Sequence, residues 1–124
     1  MFNKRIIQKA LVSTWEPDSN RGWSSEDQSR TISRLIYDIF GGEILKTHNR
    51  KGWHFYNRVN GRRIDFTGLK TGKANGFKRL EDIPSSPEET YNYFEKEDYS
   101  SFFMSFINAF EVTVGLKKQR SFTF

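Results

Sequence analysis

His54 and Asp65 lie on either side of Asn60-Gly61, and that placement gives the pair its chemical interest. Asn-Gly is the favoured two-residue type I′ turn, because both central residues must take positive φ and these two tolerate it best. The turn sets a hairpin over 52–67 in which Val59 faces Arg62, Arg58 faces Arg63, Asn57 faces Ile64, Tyr56 faces Asp65, Phe55 faces Phe66 and His54 faces Thr67. Alternation then puts Trp53, Phe55, Asn57, Val59, Ile64 and Phe66 on one mostly apolar face, with His54, Tyr56, Asp65 and Thr67 on the other. His54 and Asp65 become diagonal cross-strand neighbours, roughly 7 Å apart at the backbone and closer at the side-chain tips. A carboxylate beside an imidazole orients the ring and raises its basicity, which supplies the base and the orienter of a nucleophile–base–orienter triad. The competing reading is a surface hairpin in which the two residues are incidental.

The elements that must position this pair are legible in the hydrophobic spacing. Ile32, Leu35, Ile36, Ile39 and Phe40 recur at helical intervals from about Gln28, and Gly41-Gly42 ends the run as a C-terminal cap. Ser25, Glu26 and Asp27 supply capping and acidic residues ahead of it, so Gln28 and Ser29 are expected at the helix N-terminus. There, exposed N–H groups and the helix dipole lower a nucleophile's pKa and can hold an oxyanion. Glu43 to Thr47 reads as a strand leading through a turn into the hairpin, for a three-stranded antiparallel sheet. A short amphipathic helix is expected from Asn3 to about Val12, a loop with two tryptophans from Trp15 to Ser25, and a helix start at Ser86-Pro87-Glu88-Glu89. Tyr99, Phe102, Phe103, Phe106, Ile107 and Phe110 form the strongest helical stripe and are expected to pack across the sheet. Residues 68–79 read as a mobile loop, and the chain from Val112 onward as an edge strand or a frayed basic end, flexible over 116–124. The expected fold class is α+β, a small antiparallel sheet packed on helices.

Composition bounds the chemistry. The 124 residues suit a single domain large enough to bury a core without staples. There is no cysteine, which excludes disulfides, thiolate metal sites and a cysteine nucleophile in this chain. The only histidines are His48 and His54, with no acidic cluster at ligand spacing, so neither a metal nor another cofactor is expected. Gly68-Leu69-Lys70-Thr71-Gly72-Lys73 lacks the spacing of a phosphate loop. No secretory leader or membrane-spanning run is visible, and the expected location is the cytoplasm. A net charge of +5 permits nucleic-acid contact, but the basic residues are scattered too evenly to mark a site.

Several segments together resemble the YunG-like family of small bacterial proteins: the Gln28-Ser29 helix start, Asp38-Ile39-Phe40-Gly41-Gly42-Glu43-Ile44-Leu45, Trp53-His54-Phe55-Tyr56-Asn57, Asn60-Gly61 with Ile64-Asp65-Phe66-Thr67, and Asp82-Ile83-Pro84-Ser85-Ser86. The family pattern has cysteine after the glutamine in a Gly-Gln-Cys-like motif. Ser29 stands at that position, and Asp27 at the glycine. Cysteine at a helix start, then histidine and aspartate on adjacent strands, is similar to the papain-like order of thiol peptidases, amidases and transglutaminases. By fold-level analogy the resemblance implies a papain-like or transglutaminase-like core and acyl transfer on an amide or ester. His54 would be the base, Asp65 the orienter, Gln28 an oxyanion donor and Ser29 the residue in the nucleophile position. Serine keeps the shape but loses the acidity, since a thiol near pKa 8.5 ionises readily beside an imidazole and an alcohol does not. Either a cysteine has been replaced by design or the chain is a natural non-catalytic relative, and Asp27 favours the second.

Three functions follow as expectations. One is a papain-like thiol-class hydrolase or acyltransferase scaffold with Ser29 in the nucleophile position. The second is a non-catalytic module that binds or inhibits a protein or peptide through Trp15, Trp23, Trp53, Tyr56 and Asn57. The third and weakest is nucleic-acid binding through the basic 68–79 segment and tail.

Overall fold

The computed structural model describes residues 3–15, 25–50, 52–66, 80–91 and 96–115. It is α+β, and the chain forms two compact units, one from Met1–Arg21 with Lys96–Phe124 and the other from Gly22–Glu95.

In the first unit, helix α1 (Lys4–Trp15) packs on helix α4 (Lys96–Thr113). The Asn3 side chain caps α1 by accepting the Ile6 N–H at 3.1 Å, and the helix runs a turn past the expected Val12. Ile7, Ala10 and Leu11 form its buried stripe. On α4, Tyr99, Phe102 and Phe106 are buried, while Phe103, Ile107 and Phe110 are half-buried. Within this unit the partner of the stripe is α1. Helix continues through Val112 and Thr113, so the expected tail begins later than Val112, and residues 116–124 lie outside the described residues.

The second unit is built on a four-stranded antiparallel sheet in the order β3-β2-β1-β4, with β1 Glu43–Asn49, β2 Gly52–Val59, β3 Arg62–Ile64 and β4 Ile83–Pro84. The hairpin register is the expected one, Asn57 opposite Ile64, Arg58 opposite Arg63 and Val59 opposite Arg62. Asn60 and Gly61 take φ of 53° and 79°, as a type I′ turn requires. The fourth strand was missed because a two-residue strand containing proline has no periodicity to read, and proline suits such an edge. Helix α2 (Ser25–Phe40) lies against β2, and helix α3 (Pro87–Tyr91) lies against α2. Ile32, Leu35 and Ile36 are the buried apolar stripe of α2. His54, Phe55, Tyr56 and Asn57 are consecutively buried, so both faces of β2 are covered, where the sequence suggested one apolar face and one polar. The expected mobile loop, 68–79, lies outside the described residues.

Candidate functional site

The imidazole and carboxylate singled out by the turn do meet. His54 Nε2 lies 2.6 Å from Asp65 Oδ2, with side chains 5% and 14% exposed. Asp65 follows the last residue of β3, where the chain leaves the ladder while its side chain still points to the His54 face. The Tyr56 ring flanks the imidazole, with centroids 6.0 Å apart and planes inclined by 21°.

Ser29 reaches β2, although not where a nucleophile would. The helix begins at Ser25, so Gln28 closes its first turn and Ser29 opens the second, inward of the expected N-terminal position. The dipole and the unbonded N–H groups fade beyond the first turn, which weakens that part of the expectation. The Ser29 hydroxyl is fully buried; it donates to the Glu26 carbonyl at 2.9 Å and accepts the Phe55 N–H at 3.0 Å. The hairpin explains the second bond. With Val59 and Arg62 closing a two-residue turn, the N–H groups of Val59, Asn57, Phe55 and Trp53 all point toward the β3 side. Since β3 ends at Ile64, Phe55 and Trp53 lack a strand partner there. Ser29 Oγ takes the first N–H and Glu26 Oε1 the second, at 3.0 Å. The hydroxyl proton is therefore directed to a carbonyl and not to the imidazole.

Arg30 and Glu26 surround this junction. Arg30 is buried with its guanidinium 4.5 Å above the Phe55 ring; it donates to the Glu89 carbonyl at 2.7 Å and pairs with Glu26. Burial pushes the Glu26 carboxyl up, but the Arg30 and Trp53 hydrogen bonds and the Arg30 charge together outweigh it and hold the group below the ordinary carboxylate range. Glu26 also explains Gly52, which takes a φ of +119° and whose missing Cβ would stand 2.5 Å from Glu26 Oε1.

On the His54 face a second network surrounds Asp82. Tyr56 O–H donates to Asp82 Oδ1 and accepts the Asp82 N–H, both at 2.7 Å. Arg63 donates to the same carboxylate from Nε at 2.9 Å and Nη2 at 2.5 Å, and Arg58 Nη2 stands 3.4 Å away. The Arg63 and Tyr56 bonds hold the Asp82 carboxyl below its usual range, while burial and then Asp82 push the Tyr56 phenol up. Asp82 and Arg63 were not singled out from sequence. A signal existed: Arg58 directly opposite Arg63 is an unfavourable cross-strand pair that asks for an acid between them.

The remaining expected contact residues are placed as follows. Trp53 is half-buried, stacked on His48 at 4.1 Å with Lys46 Nζ 4.4 Å from its ring centre. Asn57 is 2% exposed and its amide nitrogen donates to the Ser33 carbonyl at 2.9 Å, tying α2 to β2. Tyr56 is equally buried. Trp23 lies outside the described residues, and of Trp15 only the backbone is described. Among the described residues no group of histidines and acids could hold a metal ion, and no helix is long and apolar enough to cross a membrane.

Comparison with known proteins gives the chain a family. The family model described as YunG protein matches residues 3–110. The chain belongs to the YunG family. It is 33% identical over 97 residues to "Uncharacterized protein YunG" of Bacillus subtilis (strain 168), an alignment covering 75% of this chain and 82% of the relative. No solved structure matches the chain at significance. The matched span contains α2, the whole sheet and therefore Ser29, His54, Asp65, Tyr56 and Asp82.

Proposed function

We propose that this YunG-family chain is a papain-like acyl-transfer scaffold in which His54 and Asp65 are base and orienter and position 29 is the nucleophile seat. The observation that carries the reading is the 2.6 Å contact between His54 Nε2 and Asp65 Oδ2, beside which α2, lying on the opposite face of β2, brings residue 29 only as far as the backbone N–H of Phe55. In a thiol-bearing form, the imidazole would take the proton of the attacking group and return it to the leaving group, while Asp65 holds the ring's tautomer. With serine at 29 the hydroxyl is committed to Glu26 and Phe55, so the native chain binds an acyl-bearing protein or peptide without turning it over.

A binding module without the acyl-transfer chemistry is the competing reading, and one variant separates the two. Ser29→Cys introduces the chain's sole thiol, whose ionisation can be followed by the ultraviolet absorbance of the thiolate without any reagent entering the site. Sulfur is a weak hydrogen-bonding atom, so the introduced thiol does not keep the serine's two bonds at full strength. If the reading holds, the thiol ionises below about pH 7.5, and adding His54→Ala returns it toward about 8.5 or higher. A thiol at or above about 8.5 whether or not His54 is present ends the acyl-transfer reading and leaves a binding module unrelated to that chemistry.

A further inference from the structure

Residues 80–85 run beside the His54 face of the sheet: Ile83 to Ser85 pair with β1 through the backbone, the Ser85 N–H donating to the Ile44 carbonyl at 2.9 Å, while Glu81 and Asp82 are fastened largely by side chains. Thr47 Oγ1 donates to Glu81 Oε1 and accepts the Glu81 N–H, both at 3.1 Å, while the His48 N–H donates to the same carboxylate at 2.8 Å. Asp82 exchanges two hydrogen bonds with Tyr56 and receives Arg63. The two anchor points are the same-face neighbours of His54: Thr47 is its partner across β1 and β2, and Tyr56 follows it along β2 with the flanking ring. His54 itself is 4% exposed. Asp82 takes a φ of 56°, uncommon for a residue with a side chain, so the segment is bent into this position by the bonds it makes.

We propose that residues 80–85 are a strap beside the His54–Asp65 dyad, latched by Asp82, which must lift from Tyr56 before a substrate reaches the imidazole. Release of residues 80–82 leaves the sheet standing even where it also frees the two-residue β4 from β1. The β1–β2 and β2–β3 ladders are complete without β4, and the Arg63 and Arg58 side chains that grip Asp82 are 51% and 32% exposed, where ion pairs are individually weak. The site's regulation then resides in the latch. The proposal rests on reading the dyad as a reaction centre, but its test does not use a thiol or a substrate, so the two can fail separately.

The chain carries two histidines, and this allows an internal reference. Modification of the full chain by diethyl pyrocarbonate, quantified at each histidine by mass spectrometry, reports the access of His54 against that of the exposed His48. Asp82→Gly keeps the positive φ at no steric cost and removes the carboxylate. Tyr56→Phe keeps the ring and removes the hydroxyl. In each variant His54 is expected to react about tenfold faster than in the native chain, a clearly larger factor than at His48, whose N–H holds Glu81 of the same segment. An unchanged His54 rate in both variants, with native circular dichroism, overturns the strap. So does a parallel rise at both histidines, which would mean general loosening.

Discussion

Ser29 shows how a residue's chemistry is set by where a neighbouring strand stops. Its hydroxyl substitutes for the backbone partner that β3 would have given Phe55 had the ladder continued past Ile64. Ser29→Ala therefore strands a buried N–H, and a loss of about 1–3 kcal/mol is expected from urea unfolding. A loss below about 0.3 kcal/mol would show that the bond is not structural. The His54–Asp65 contact was legible in the sequence because Asn60-Gly61 fixes register and alternation fixes the face, both local rules. The Ser29 bond was not, because no local signal says that β3 ends after three residues. Arg30 was illegible for a different reason: a charged residue reads as solvent-facing even beside its i,i+4 partner Glu26, and the Glu89 carbonyl and Phe55 ring that help to make its burial tolerable are brought in by tertiary structure.

At the scale of elements, the turns and helix stripes followed their local chemistry, which does not name a packing partner. The aromatic spacing identified the α4 helix, but an amphipathic stripe names no partner, and the apolar surface of α1 met it. Phe106 is fully buried, so Phe106→Ala should cost about 3–5 kcal/mol. A change under about 1 kcal/mol in denaturant unfolding would place it outside the core. The paired glycines between α2 and β1 make a sharper comparison, because both take positive φ but only one is crowded. A Cβ at Gly42 would stand 2.3 Å from the Arg58 carbonyl oxygen, whereas at Gly41 nothing lies within 4 Å. Gly41→Ala should therefore cost about 1 kcal/mol, from backbone strain alone, and Gly42→Ala clearly more, since the β1–β2 ladder must shift. Equal midpoints in urea for the two variants would contradict the crowding argument.

At the scale of the whole molecule, carboxylates join several elements of the second unit around its apolar core. Glu26 ties α2 to the N-terminal end of β2, Glu81 and Asp82 tie the 80–85 segment to β1, β2 and β3, and Glu89 ties α3 to Lys46 of β1. All are held below their ordinary values. The causes are, for Glu81, the His48 N–H and the Thr47 hydroxyl, and for Asp82, Arg63 and Tyr56. For Glu26 and Glu89, hydrogen bonds and cations overcome the upward push of burial. A carboxyl whose folded pKa is depressed binds protons more readily when the chain is unfolded. Its stabilising contribution is complete above the ordinary values of 4.5 for glutamate and 3.8 for aspartate, and is lost as pH falls through and below them. The urea midpoint should thus be level near neutrality and fall steadily once the pH drops beneath about 5. Tyr56 sets the opposite limit. Its phenol, raised above the ordinary 10.0, stays protonated in the folded chain while the unfolded chain ionises, so stability is lost again as pH rises past that value. Glu26→Gln isolates one link. The amide oxygen still accepts the Trp53 N–H, but the charge facing Arg30 is gone, so the variant should be less stable at neutral pH and lose less on acidification. Measured urea midpoints from pH 7 down to about 3 would then converge for native and variant chains. Parallel curves would mean that Glu26 titrates alike in both states, and a native midpoint flat to about pH 3 would remove the carboxylate account altogether.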